Sequence, residues 1–152
     1  MELILWRHAD AEYGLPDLER PLTVKGRHQA RSMAELLSPR LPKSARILVS
    51  PAVRTRQTAA ALGLPVQIEP AIAPDATVEA LLQAAGWPQA EGCVVVVGHQ
   101  PTLGRAAARL LTGCAADLSL RKGAVWWLSG REREGKGTAA FLRFAVGPEF
   151  SA

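Results

Sequence analysis

The chain has 152 residues, 48% of them apolar and 21% charged, and a formal net charge of +4 at pH 7. That length suits one domain, residues 1–152, with a real core, and the mixed composition excludes a disordered or low-complexity chain. No apolar run approaches the roughly 20 residues that span a bilayer, and arginines scattered without a basic stripe or aromatic platform speak against a nucleic-acid or membrane partner.

In chain order, the first signal is the apolar run at residues 3–6, which stops at Arg7 and His8. A buried parallel strand that delivers polar residues at its carboxyl end has this pattern. The start carries no basic leader or small-residue cleavage site, so a cytoplasmic location is expected. A polar loop with Gly14, Pro16 and Pro21 leads to Thr23, after which Ala30, Met33, Ala34 and Leu37 recur at helical spacing until Ser38 and Pro39. Residues 46–49 read as a second strand ending at Ser50 and Pro51, and residues 52–62 as a helix stopped by Gly63. Residues 66–68 suggest a short third strand, and residues 77–85 a helix capped by Asp75 or Thr77 and ended by Gly86.

The most apolar strand, 94–97, ends at Gly98 and His99. Pro101 follows where a first helical turn tolerates proline, and Leu103, Ala107, Leu110 and Leu111 mark the buried face of that helix. Residues 124–128, a glycine-rich turn at 130–137 and residues 140–146 read as a hairpin. The expected fold is therefore α/β, a three-layer sandwich with a mostly parallel central sheet, helices on both faces and an antiparallel C-terminal hairpin at the edge.

Sites in such sheets lie beyond the carboxyl ends of the strands. There this sequence places Arg7 and His8, Arg54, and His99. Cations gathered at one edge repel one another unless an anion sits among them, and a phosphoryl group fits. Arginine offers a planar two-pronged donor, helix starts near Ala52 and Thr102 add partial positive charge, and histidine attacks phosphorus once one ring nitrogen is unprotonated. Other residues get bland readings. Cys93 and Cys114 lack CxxC spacing and read as structural; His28, Arg56, Arg105 and Arg109 fall on solvated helix faces, and Trp126 and Trp127 on a strand. No HxxxH or HxH spacing or carboxylate cluster is present, so neither metal nor other cofactor is expected.

Arg7, His8 and Ala9 after the first strand resemble the Arg-His-Gly signature of the histidine phosphatase superfamily, in its Arg-His-Ala variant. Ser50, Pro51, Arg54 and Thr58 resemble its second motif, and Gly98 with His99 its third. Arg20, Pro21, Leu22, Thr23 and Gly26 are similar to the segment after the first motif in the SixA-like phosphohistidine phosphatase branch. The resemblance runs from about Leu3 to Leu111. It implies that His8 is transiently phosphorylated, that Arg7, Arg54 and His99 hold the transferring oxygens, and that Arg20 lies near the entrance.

One departure concerns the general acid. Phosphoglycerate mutase-like relatives place an acidic residue where this chain has Pro74, with Asp75 and Glu79 the nearest substitutes. A phosphohistidine releases imidazole from a weak phosphorus to nitrogen bond and needs a proton donor less than an alkyl phosphate does. The expected function is thus a metal-independent phosphohydrolase acting on a phosphorylated substrate, foremost a phosphohistidine-carrying signalling protein. The alternatives are a small phosphate monoester phosphatase and a catalytically idle phosphate-binding or interaction module.

Overall fold

Side-chain alternation along the strands decides the layering. The computed structural model describes residues 1–150, and its elements run β1 (Glu2–Arg7), α1 (Val24–Leu37), β2 (Arg46–Val49), α2 (Val53–Ala60), β3 (Gln67–Ile68), α3 (Val78–Ala85), β4 (Cys93–Gly98), α4 (Thr102–Thr112), β5 (Val125–Arg133) and β6 (Gly137–Val146). The strands form one six-stranded sheet in the order β3-β2-β4-β1-β5-β6. β1 and β2 flank β4 in parallel and β3 pairs parallel with β2, whereas β5 and β6 run antiparallel at the other edge.

Leu3, Leu5, Leu48, Val94 and Val96 point to one face, where they meet Leu81 and Ala85 of α3 and Leu103, Ala106 and Ala107 of α4. Ile4, Trp6, Ile47, Val49, Val95 and Val97 point to the other and meet Met33, Ala34 and Leu37 of α1 and Ala59 of α2. Every residue of β4 is buried, as a strand covered on both faces requires. The three-layer α/β architecture expected from the sequence is what forms.

Boundaries differ in places. Thr77 alone caps α3, accepting from the Ala80 N–H at 3.1 Å; Asp75 instead adopts a left-handed φ of 68° two residues earlier. Pro101 occupies the cap position before α4 rather than its first turn. The hairpin is longer than expected because Gly130 stays in the ladder opposite Ala140. The ring of Trp87 lies where a side chain at Gly130 would be, so this glycine serves packing and not a turn.

Candidate active site

The parallel register brings the site together. Arg7 pairs with Gly98 and Val49 with Val97, so the residues just past these strand ends, His8, Ser50 and His99, become neighbours. The His8 N–H donates to the Gly98 carbonyl at 3.1 Å, and the two imidazole centroids stand 5.5 Å apart. Both histidines are buried, as is Arg54 in the first turn of α2. A cavity of about 320 Å³ is lined by Arg7, His8, Asp17, Arg20, Arg54, Pro74, Asp75, His99 and Gln100.

Hydrogen bonds assign the ring tautomers. His8 Nδ1 lies 2.7 Å from the Ala9 carbonyl, which can only accept, so Nδ1 carries the proton and Nε2 keeps its lone pair. His99 Nδ1 faces Arg54 Nη2 at 3.4 Å. A guanidinium can only donate, so His99 Nε2 bears the proton and donates to Ser50 Oγ at 2.7 Å. Burial, reinforced by Arg54, Arg7 and Arg20 against the bond to Ala9, lowers the His8 pKa to about 4. Burial and then Arg54 and the His8 ring bring His99 to about 3. Both rings are neutral near pH 7, and His8 Nε2 is a free nucleophile.

The Ala9 N–H donates to Thr58 Oγ1 at 3.0 Å, and that hydroxyl donates to the Arg54 carbonyl at 2.7 Å. The loop that carries His8 is thereby fastened to the helix that carries Arg54. Arg7 Nη1 donates to the Leu120 carbonyl at 2.8 Å, and burial lowers the Arg7 pKa from its ordinary value. The Nε–H groups of Arg7 and Arg54 are buried and have no acceptor among the described residues. Donors of that kind suit an oxyanion.

Arg20, expected near the entrance, does line the cavity, and the reason is a residue that sequence reasoning passed over. Asp17 bridges two arginines: Oδ2 lies 3.2 Å from Arg54 Nη2 and Oδ1 lies 3.0 Å from Arg20 Nη2. The Asp17 main-chain carbonyl also accepts from Arg54 Nη1 at 2.8 Å. Partial burial would raise the Asp17 carboxyl, but Arg54 and Arg20 outweigh it and hold the group below its usual pKa. The spacing of Asp17 and Arg20, three residues apart, was the one available signal.

The two candidate acids part company. Asp75 lies in the cavity wall beside Pro74 and is exposed to solvent. Glu79 does not line the cavity; it is exposed and pairs with Arg109 at 2.7 Å across α3 and α4. Of the bland readings, Cys93 is buried with its thiol pushed up to about 11 by burial, Cys114 is exposed, and Arg105 pairs with Asp117. No helix among the described residues is long and apolar enough to cross a membrane.

Such a constellation, a neutral histidine with a free ring lone pair among arginines at the carboxyl edge of a mostly parallel sheet, suits phosphoryl transfer. Residues 3–76 match the family model of the histidine phosphatase superfamily, branch 1. The phosphohistidine phosphatase SixA of Escherichia coli is 34% identical over 125 residues, covering 74% of this chain and 76% of that one. An uncharacterised protein of Picosynechococcus is 35% identical over 136 residues, with 82% of each chain covered. Among solved structures, the protein histidine phosphatase SixA complexed with tungstate superposes with a TM-score of 0.79 at 29% identity, covering 97% of both chains. A SixA-type chain from Nakamurella multipartitia gives 0.80 at 28% identity, covering 97% of this chain and 95% of that one. The chain belongs to the histidine phosphatase superfamily.

Proposed function

We propose that this protein is a cytoplasmic protein phosphohistidine phosphatase that works without a metal through a phosphoryl intermediate on His8. The observation that carries this reading is the hydrogen bond from His8 Nδ1 to the Ala9 carbonyl, which leaves Nε2 as the only ring atom able to attack. Nε2 forms a bond to phosphorus as the bond to the substrate imidazole breaks. That imidazole leaves as a neutral ring when its other nitrogen already bears a proton and the departing nitrogen keeps the bonding pair, so no strong enzyme acid is required. Arg7, Arg54 and His99 stabilise the equatorial oxygens. The incoming negative charge raises the His99 pKa, so that Nδ1 takes a proton from solvent, gives up its contact with Arg54 Nη2 and donates to a phosphoryl oxygen. Water then attacks the phosphohistidine, inorganic phosphate departs, and the His8 lone pair is restored.

The similarity to the Escherichia coli SixA and to a SixA structure complexed with tungstate, a tetrahedral oxyanion, supports the same assignment. The test is to react the enzyme briefly with a phosphohistidine protein and with an aryl phosphate and to look for acid-labile, base-stable phosphate on the chain. His8→Ala is expected to abolish both the trapped phosphate and turnover while leaving the circular dichroism spectrum unchanged. Turnover that survives this substitution refutes the mechanism. Efficient hydrolysis of one phosphorylated metabolite in preference to any phosphohistidine protein refutes the substrate.

A further inference from the structure

We infer that the cleft adjoining the phosphoryl cavity is a docking groove for an acidic segment of the protein that carries the phosphohistidine, an inference that rests on the substrate class proposed above. The cleft has a volume of about 720 Å³ and is lined by the start of α1, the segment 119–122, and Pro148 with Glu149. Arg7 lines both this cleft and the phosphoryl cavity. A phosphoryl group at His8 therefore leaves the chain that carries it within reach of the larger space. A small monoester or free phosphohistidine has no need of it.

The chemistry of the walls selects the occupant. Arg7, Lys25, Arg121 and Lys122 stand against only Asp10 and Glu149 among the charged groups of the lining. Lys25 is exposed and forms no salt bridge among the described residues. Lys122 lies 3.1 Å from Asp10 and Arg121 3.8 Å from Glu149, exposed pairs that contribute little and exchange readily for a partner's carboxylates. Complementary charge of this kind guides encounter and register more than it adds affinity.

Rigidity makes the groove useful to the reaction. The Gly123 N–H donates to the His8 carbonyl at 3.0 Å, the Arg7 N–H to the Ala124 carbonyl at 3.0 Å, and Arg7 Nη1 to the Leu120 carbonyl. The segment that presents Arg121 and Lys122 is thus bonded directly to the nucleophile strand. A carrier gripped there is held at a set distance from Nε2, which is how remote binding energy serves orientation.

The experiment compares the full chain with the Lys25→Glu/Arg121→Glu variant on three substrates: a phosphohistidine peptide flanked by glutamates, the same peptide flanked by lysines, and p-nitrophenyl phosphate. At low salt the unsubstituted enzyme is expected to favour the glutamate peptide roughly tenfold or more in kcat/KM, with the gap narrowing as salt screens it. The variant is expected to lose that preference while its kcat/KM on p-nitrophenyl phosphate stays within about twofold, since neither residue reaches the phosphoryl cavity. Equal turnover of the two peptides by the unsubstituted enzyme overturns the groove alone, as does a variant that keeps the preference or loses aryl phosphatase activity to the same degree. Competition by a single-stranded DNA oligomer at moderate salt reassigns the groove to nucleic acid and overturns it too. An enzyme that hydrolyses the aryl phosphate but neither peptide removes the phosphohistidine substrate itself, and the groove falls with it.

Discussion

A half-exposed carboxylate does more for the candidate site than its loop position suggests. Asp17 holds Arg54 with one oxygen and Arg20 with the other, so together with the Glu12 carbonyl, which accepts from Arg20 Nη1 at 3.1 Å, it keeps Arg20 at the mouth of the cavity. It also offsets one positive charge among Arg7, Arg54 and Arg20, which lowers their mutual repulsion before substrate arrives. Because the arginines keep it ionised, it acts as a positioning residue and not as the missing proton donor. Asp17→Asn should raise KM by about tenfold with a smaller change in kcat, the scale of a lost charged hydrogen bond. The double variant Asp17→Asn/Arg20→Ala should be no worse than the more severe single one, since both remove one interaction. Steady-state kinetics on the four proteins decide it, and additive losses would show that Asp17 and Arg20 act separately.

Helix α1 is placed by close backbone approach as much as by its apolar face. The Thr23 side chain caps it, accepting from the Gly26 N–H at 2.9 Å, and donates in turn to Asp10 Oδ2 at 2.7 Å. A side chain at Gly26 would run into the Asp10 carbonyl, two residues past His8. Glycine at that point lets the helix pack against the loop after His8, and this is the physical content of Gly26 in the sequence motif. Gly26→Ala should therefore destabilise the protein by about 1–3 kcal/mol, the usual cost of overpacking. Denaturant unfolding measures this as a lower midpoint with an unchanged m-value. A midpoint unaltered by the substitution would mean that helix and loop move apart freely.

For the molecule as a whole, burying two histidines among arginines makes stability depend on pH. Folded pKa values of about 4 for His8 and about 3 for His99 lie below the ordinary 6.5, so in mildly acidic solution the unfolded chain binds more protons than the folded one. Stability then falls as pH drops from about 6.5, by up to roughly 2.7 kcal/mol per pH unit while both groups lie in the window. Urea midpoints at pH 7 and pH 5 should show that loss, and inorganic phosphate should offset it by binding only the folded state. A flat profile between those values would mean that the rings are not held neutral.

The three strand ends bearing Arg7 and His8, Arg54, and His99 were legible in the chain because a parallel strand buried on both faces is a short apolar run, and the residues just after such a run must lie at the carboxyl edge. The same local logic located α1 to α4 and the C-terminal hairpin. It could not tell Asp75 from Glu79, or find Asp17, because a carboxylate in a loop or on a polar helix face has the same local signature whether it meets water, Arg109 or Arg54. The amino-acid order alone determined the layers and the chemistry available, since hydrophobic periodicity and residue type are local properties. Only the tertiary structure decided which charges pair, which tautomer each imidazole adopts and that a basic cleft adjoins the cavity, because hydrogen bonds and Coulomb forces act through the space between residues far apart in the chain.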